Sequence, residues 1–176
     1  MSLLDEIRDQ LPGDAFDEGE LKLVLRGHSP ASLHSLLSRL LKDGKINKLR
    51  RGLYVFGERY QKRPLSNYVI AAKLYSPSYI SFESALSYHG LIPEAVYVTT
   101  SACAQLKKKY YPTPLGDYSY QYIPPNSFRL GVESLSTPGG TFLMANPIKA
   151  LFDLIYIRKK TYPDVSAIQG DLRIEA

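Results

Sequence analysis

The segment that most constrains how this chain can fold runs from Ser29 to Gly44. Ser29 is a good helix N-cap and Pro30 follows at the first helical position, where its missing N–H costs nothing. Leu33, Leu36, Leu37, Leu40 and Leu41 then recur at helical spacing as one narrow apolar stripe. Asp43-Gly44 turns the chain. The opposite face carries Ala31, Ser35, Ser38 and Lys42, flanked by Ser32, His34 and Arg39. The side chains are short near the start and basic near the end. A helix entering a DNA major groove needs small residues for close approach and hydroxyls or Arg for base edges and phosphates. An ordinary amphipathic surface helix would show the same stripe, so the neighbouring segments decide.

Two shorter helices precede it. Leu3, Leu4, Ile7 and Leu11 have helical spacing up to Pro12-Gly13. Asp17 and Glu20 read as a capping box ahead of Leu21, Val24 and Leu25, closed by Arg26-Gly27. After Gly44, the apolar positions Ile46, Leu49, Leu53, Val55 and Phe56 read as two strands around Arg50-Arg51-Gly52, a hairpin with two arginines at its tip. Residues 39–63 hold nine Lys or Arg against only Asp43 and Glu58, while the whole chain has a net charge of +5. The remainder is therefore slightly acidic. Three helices followed by a basic hairpin predict a winged helix-turn-helix over residues 1–60. Its DNA contacts are expected at Ser32, Ser35, Arg39, Lys42, Lys45, Lys48, Arg50 and Arg51, with the hairpin on the phosphates or in the minor groove.

A change of pattern near residue 60 marks a boundary, and residues 61–176 read as a small mixed α/β module. The expected fold class is thus α+β. Helices are predicted over 67–75 and 82–89, the second closed by Gly90, with a short extended piece at 79–81 between them. Further strands are expected at 96–100, at the alternating Tyr118, Tyr120 and Tyr122 (half-exposed), and over 128–135 and 141–144. Lys107-Lys108-Lys109 reads as an exposed turn. Pro147 opens a helix with apolar positions Ala150, Leu151, Leu154, Ile155 and Ile157, ending in Arg158-Lys159-Lys160, a favourable charge at a helix C-terminus. No strong element is expected after Pro163. Most of the 14 tyrosines are expected to line the sheet, where Tyr is favoured.

One cysteine, Cys103, excludes an internal disulfide and a zinc site on paired cysteines, and makes the cytoplasm the natural compartment. No apolar run reaches transmembrane length, and residues 1–10 do not read as a signal peptide. The histidines His28, His34 and His89 lack ligand spacing. Ser84 and His89 sit five apart, about 140° around a helix, too far to pair locally. Gly139-Gly140 lacks the rest of a phosphate loop. Glu20-Leu21-Lys22 reads as surface charge rather than part of a nuclease site. The chain is read as a non-enzyme without cofactor or metal.

Three segments together carry a more specific resemblance. They are Leu40-Leu41-Lys42-Asp43-Gly44-Lys45-Ile46 with Arg51-Gly52-Leu53-Tyr54; Pro77-Ser78-Tyr79-Ile80-Ser81-Phe82-Glu83-Ser84-Ala85-Leu86-Ser87-Tyr88-His89-Gly90-Leu91-Ile92-Pro93; and Ala145-Asn146-Pro147-Ile148-Lys149-Ala150-Leu151-Phe152-Asp153-Leu154-Ile155-Tyr156. Their order and spacing resemble the AbiEi-type antitoxins of bacterial type IV toxin–antitoxin systems. The resemblance implies a winged helix that binds inverted repeats in its own promoter as an autorepressor, an arrangement that suits a homodimer. It also implies a C-terminal domain that opposes a nucleotidyltransferase-like toxin without a tight complex. It directs attention to Ser81, Glu83, Ser84, Tyr88 and His89. In this family the C-terminal domain continues past the third segment; about sixteen residues follow Lys160 here, so a shortened domain or a fragment of a longer chain is expected. The alternative is an interaction or ligand-sensing module whose winged helix docks a protein.

Overall fold

A computed structural model describes residues 3–106 and 108–173. The fold is mixed α+β, with eight α-helices and two sheets among the described residues. The N-terminal part runs α1 (Leu3–Gln10), β1 (Ala15–Asp17), α2 (Glu18–Val24), α3 (Pro30–Lys42), β2 (Ile46–Arg50) and β3 (Leu53–Phe56), followed by a 3-10 turn over Glu58–Tyr60. The capping box forms: the Glu20 N–H donates to Asp17 Oδ1 at 2.8 Å, and the Asp17 N–H donates to Glu20 Oε2 at 2.8 Å. Ser29 caps α3 by accepting from the Ser32 N–H at 3.2 Å. Gly52, at φ +76° in the hairpin tip, takes a backbone conformation that suits glycine. Gly57 is fixed by proximity instead: a Cβ there would lie 2.6 Å from the Gly44 carbonyl oxygen.

β1 was not evident in the sequence. Three residues are too few to show a period. It adds to the hairpin to make an antiparallel sheet of order β1-β3-β2, with Phe16 opposite Tyr54 and Ile46 opposite Phe56. The two faces of this sheet go to different cores. Phe16, Ile46, Tyr54 and Phe56 join the leucines of α1–α3. Ala15, Leu49, Leu53 and Val55 face the other way, into the core formed by the rest of the chain. All four residues of β3 are therefore buried. Leu49, Leu53 and Val55 each gain about 1.5–3 kcal/mol by full burial, so much of the hairpin's stability comes from residues beyond 60.

The second sheet has order β6-β7-β5-β4-β9-β8. Its strands are β4 (Ser78–Ile80), β5 (Val98–Cys103), β6 (Lys109–Thr113), β7 (Gly116–Tyr122), β8 (Val132–Thr137) and β9 (Gly140–Ala145). The β5–β7 and β4–β9 pairs are parallel and the others antiparallel. On one face lies α4 (Asn67–Leu74), which receives hydrogen bonds from Tyr118 (to Asn67 Oδ1, 3.2 Å) and Tyr120 (to the Ala71 carbonyl, 2.7 Å). α5 (Phe82–Tyr88) and α7 (Pro147–Arg158) pack against each other, and Tyr79 in β4 and Ser81 just after it reach α7.

Several elements depart from the sequence reading. Tyr118 and Tyr120 are buried rather than half-exposed because α4 covers their face; burial pushes the Tyr118 phenol up to about 12. The expected strand at 128–135 is preceded by a short helix, α6 (Pro125–Phe128), and starts only at Val132. After Pro163 there is a further helix, α8 (Val165–Leu172), capped by Asp164, whose carboxylate accepts from the Ala167 N–H at 2.8 Å. Of the expected lysine turn, Lys107 lies outside the described residues, Lys108 is exposed, and Lys109 opens β6.

Candidate nucleic-acid interface

α3 lies with its leucines inward and its other face open. Leu33, Leu36, Leu37 and Leu40 are buried. Ala31, Ser32, His34, Ser35, Ser38, Arg39 and Lys42 are all exposed. A shallow depression of about 500 Å³ beside the helix is lined by Leu3, His28, Ser32, Ser35, Leu36 and Arg39. Among the described residues Arg39 and Lys42 have no carboxylate partner. Their long side chains are free to reach an anion or a base edge. Ser35 is likewise open, whereas Ser32 spends its hydroxyl proton on the Ser29 carbonyl at 3.0 Å and helps close the cap.

The hairpin residues have divergent fates. Lys48 and Arg51 are exposed and unpaired among the described residues. Lys45 lies 3.6 Å from Asp43 in an exposed ion pair, which is weak in water. Arg50 is withdrawn from the surface that the sequence assigned to it. Its Nε donates to the Leu74 carbonyl at 2.9 Å, and its terminal nitrogens donate to the carbonyls of Arg51 (3.0 Å) and Lys73 (3.4 Å). The last carbonyls of a helix lack intrahelical partners and carry partial negative charge, so the C-terminal turn of α4 is a natural guanidinium site. Beside it, Lys73 pairs with Glu20 at 3.2 Å. Arg50 therefore ties the hairpin to α4 and is not available to a ligand.

The residues singled out around α5 do not converge. Ser81 is fully buried and donates to Asp153 Oδ2 at 2.7 Å. Glu83 meets Arg158 at 3.4 Å. Ser84 Oγ accepts from the Thr100 N–H at 2.8 Å and donates to the Val98 carbonyl at 3.3 Å, holding β5 against the helix. His89 Nε2 lies 2.9 Å from the Ala145 carbonyl. The Tyr88 ring is edge-on to those of Tyr68 and His89. Ser81 and Ser84 both hold Thr100 of β5, and the five side chains do not gather around a common point.

Sequence reasoning missed the polar cluster under α7. Lys149 Nζ lies 2.7 Å from Asp153 Oδ1, and Tyr79 donates to Asp153 Oδ2 at 2.8 Å, beside Ser81. Burial, reinforced by the adjacent carboxylate, pushes the Tyr79 phenol far above its ordinary value. The signals were a Lys–Asp pair at i, i+4 inside an apolar helix, and Tyr79 and Ser81 on one face of a strand. Asp153 is 3% exposed, so the cluster is closed to substrates and serves to hold α7 in place.

Among the described residues, no three His, Cys, Asp or Glu side chains gather as a metal site requires, and no helix is long and apolar enough to cross a membrane. In comparisons with known proteins, no family model and no curated protein matches this chain.

Proposed function

We propose that this protein is a sequence-specific DNA-binding transcriptional regulator. The first 60 residues act as a winged helix-turn-helix, with α3 as the recognition helix and β2–β3 as a short wing. The observation that carries the reading is the outer face of α3: small and hydroxylic at its start, with Arg39 and Lys42 exposed and unneutralised near its end. The resemblance to AbiEi-type antitoxins sharpens the reading to an autorepressor acting on inverted repeats in its own promoter. The same resemblance makes residues 61–176 the part that counters a nucleotidyltransferase-like toxin. A mobility shift with the DNA upstream of the protein's own gene tests the first claim. A retarded complex is expected whose affinity falls steeply with salt; no retardation, or a salt-insensitive complex, refutes it. Co-expression with the product of the neighbouring gene tests the second, with growth rescue as the readout.

One observation favours a second reading, that of a protein-interaction module. Ile148, Phe152 and Tyr156 form an apolar stripe on the outside of α7, 68%, 65% and 52% exposed. A stable complex with a protein partner that is insensitive to salt would support it.

A further inference from the structure

In the C-terminal module, α5, α7, α8, the start of β5 and the segment leading into it surround a cleft of about 470 Å³. Small-molecule sites span about 300–1,000 Å³. Ile92, Val96, Val98 and Leu154 give the cleft apolar walls. Its charged residues are already matched within the chain. Glu83 meets Arg158 at 3.4 Å, Arg158 meets Asp171 at 3.5 Å, and Glu94 meets Arg173 at 3.7 Å. A charged ligand must break one of these pairs, whereas an uncharged one needs only the walls. Tyr97 points to an occupant. It lines the cleft, is 89% exposed, and among the described residues has neither a ring contact nor a hydroxyl partner. Aromatic rings are stabilised by an offset or edge-on neighbour, and the chain supplies none here.

The wall made by α8 is fastened differently from the others. Among its described side chains only Ala167 and Ile168 are partly buried, Ile168 at the edge of the large core, while Val165 is 68% exposed. Its other ties are polar. Asp171 accepts from Lys160, from the Tyr162 hydroxyl at 2.7 Å and from Arg158, and Arg173 just beyond the helix reaches Glu94. Exposed ion pairs of this kind are weak and are screened by salt. The walls from β5 and α7 belong to the packed core and have no such dependence.

We infer that this cleft is a binding site for a small uncharged molecule with an aromatic or aliphatic body, with Tyr97 as its outer contact and α8 as a wall that salt loosens. The inference stands apart from the DNA-binding reading, since the cleft shares no residue with α3 or the wing. It gives the C-terminal module a ligand of its own. Burial of apolar surface is not screened by salt, so affinity for an uncharged ligand ordinarily holds or rises as salt is added. Here it falls, because the ion pairs that hold one wall weaken.

The test uses the full chain and two fluorescent probes with the same aromatic body, uncharged phenylnaphthylamine and anionic anilinonaphthalene sulfonate, at low and high potassium chloride. The uncharged probe should bind saturably and more tightly than the anionic one. Tyr97→Ala should weaken it by about threefold to tenfold, and Ala95→Trp, on the exposed rim of the cleft, should abolish binding by filling the space. Both substitutions are at exposed positions and should leave thermal unfolding unchanged. In the wild type the affinity should fall by about threefold or more at high salt, and Asp171→Asn should show the weaker affinity at both salt levels. Four results overturn the inference. No saturable binding of the uncharged probe removes the site. Binding that survives both Tyr97→Ala and Ala95→Trp but is lost in Phe152→Ser moves the probe to the outer face of α7. Tighter binding of the anionic probe contradicts the ligand class. Equal wild-type affinity at both salt levels, unchanged in Asp171→Asn, removes α8 from the site.

Discussion

α3 and α7 begin alike and end up inside out with respect to each other. Both have a polar N-cap followed by proline, and each cap side chain accepts a hydrogen bond from a backbone N–H three residues on. In α3 the leucines are buried and the polar residues are open. In α7 Lys149 and Asp153 are buried while Ile148, Phe152 and Tyr156 are exposed. Start signals depend on local backbone chemistry and read the same in both helices. Which face turns inward depends on what the rest of the fold offers. Beneath α3 lies an apolar sheet face; beneath α7 stand two hydroxyls, of Tyr79 and Ser81, that need an acceptor.

The largest expected effect tests the inner face of α7. Asp153→Ala leaves the Lys149 charge and two hydroxyls without their partner in a closed site, and should destabilise the fold by about 3–5 kcal/mol. Thermal or denaturant unfolding measures it, and Lys149→Met/Asp153→Leu should recover much of the loss. Unchanged stability in Asp153→Ala would mean that α7 is not held by this cluster. On α3 the expected cost is functional. Arg39→Ala should lower preference for the operator over random DNA by about 1–3 kcal/mol, which is about fivefold to 150-fold, with unfolding unaffected. Loss of stability instead would make the two helices equivalent.

A third experiment separates the adjacent arginines. Arg50→Ala should cost about 1–2 kcal/mol of stability, since it removes charge-assisted bonds to helix carbonyls, and leave the salt slope of DNA binding unchanged. Arg51→Ala should do the reverse, reducing the slope by about one unit at constant stability. The smallest effect belongs to the outer face of α7, where Phe152→Ser should change the stability of the isolated chain by less than about 0.5 kcal/mol. A larger loss by calorimetry would mean that the ring is covered in solution.

How much of this could be read beforehand varied with the kind of force involved. The caps at Asp17 and Ser29, the helix start at Pro147, and the leucine face of α3 are local features that the sequence shows directly. The mixed α+β class was also legible. Arg50 was not, because two of its three partners, the carbonyls of Lys73 and Leu74, lie more than twenty residues away at the end of a helix and leave no mark in the sequence. The inner face of α7 was half legible: Ala150 and Leu154 are buried as expected, but Lys149 and Asp153 occupy the same side. A lysine and an aspartate at i, i+4 ordinarily signal a solvated surface pair, and nothing local reverses that default. Leu53-Tyr54-Val55-Phe56 has no polar alternation, which is the pattern of a strand covered on both faces, whereas a free-standing wing should alternate.

The double coverage of β3 also constrains how such a protein can be rebuilt. A unit joined to the rest of a chain only by a linker can be exchanged by cutting the linker. Here the sheet is a party wall. A chimaera that moves residues 1–60 onto another body must carry Ala15, Leu49, Leu53 and Val55 to a surface shaped to receive them, along with a helix end that accepts Arg50. Under the proposed DNA-binding reading, substitutions on the open face of α3 change DNA preference more readily than replacement of residues 1–60 as a unit.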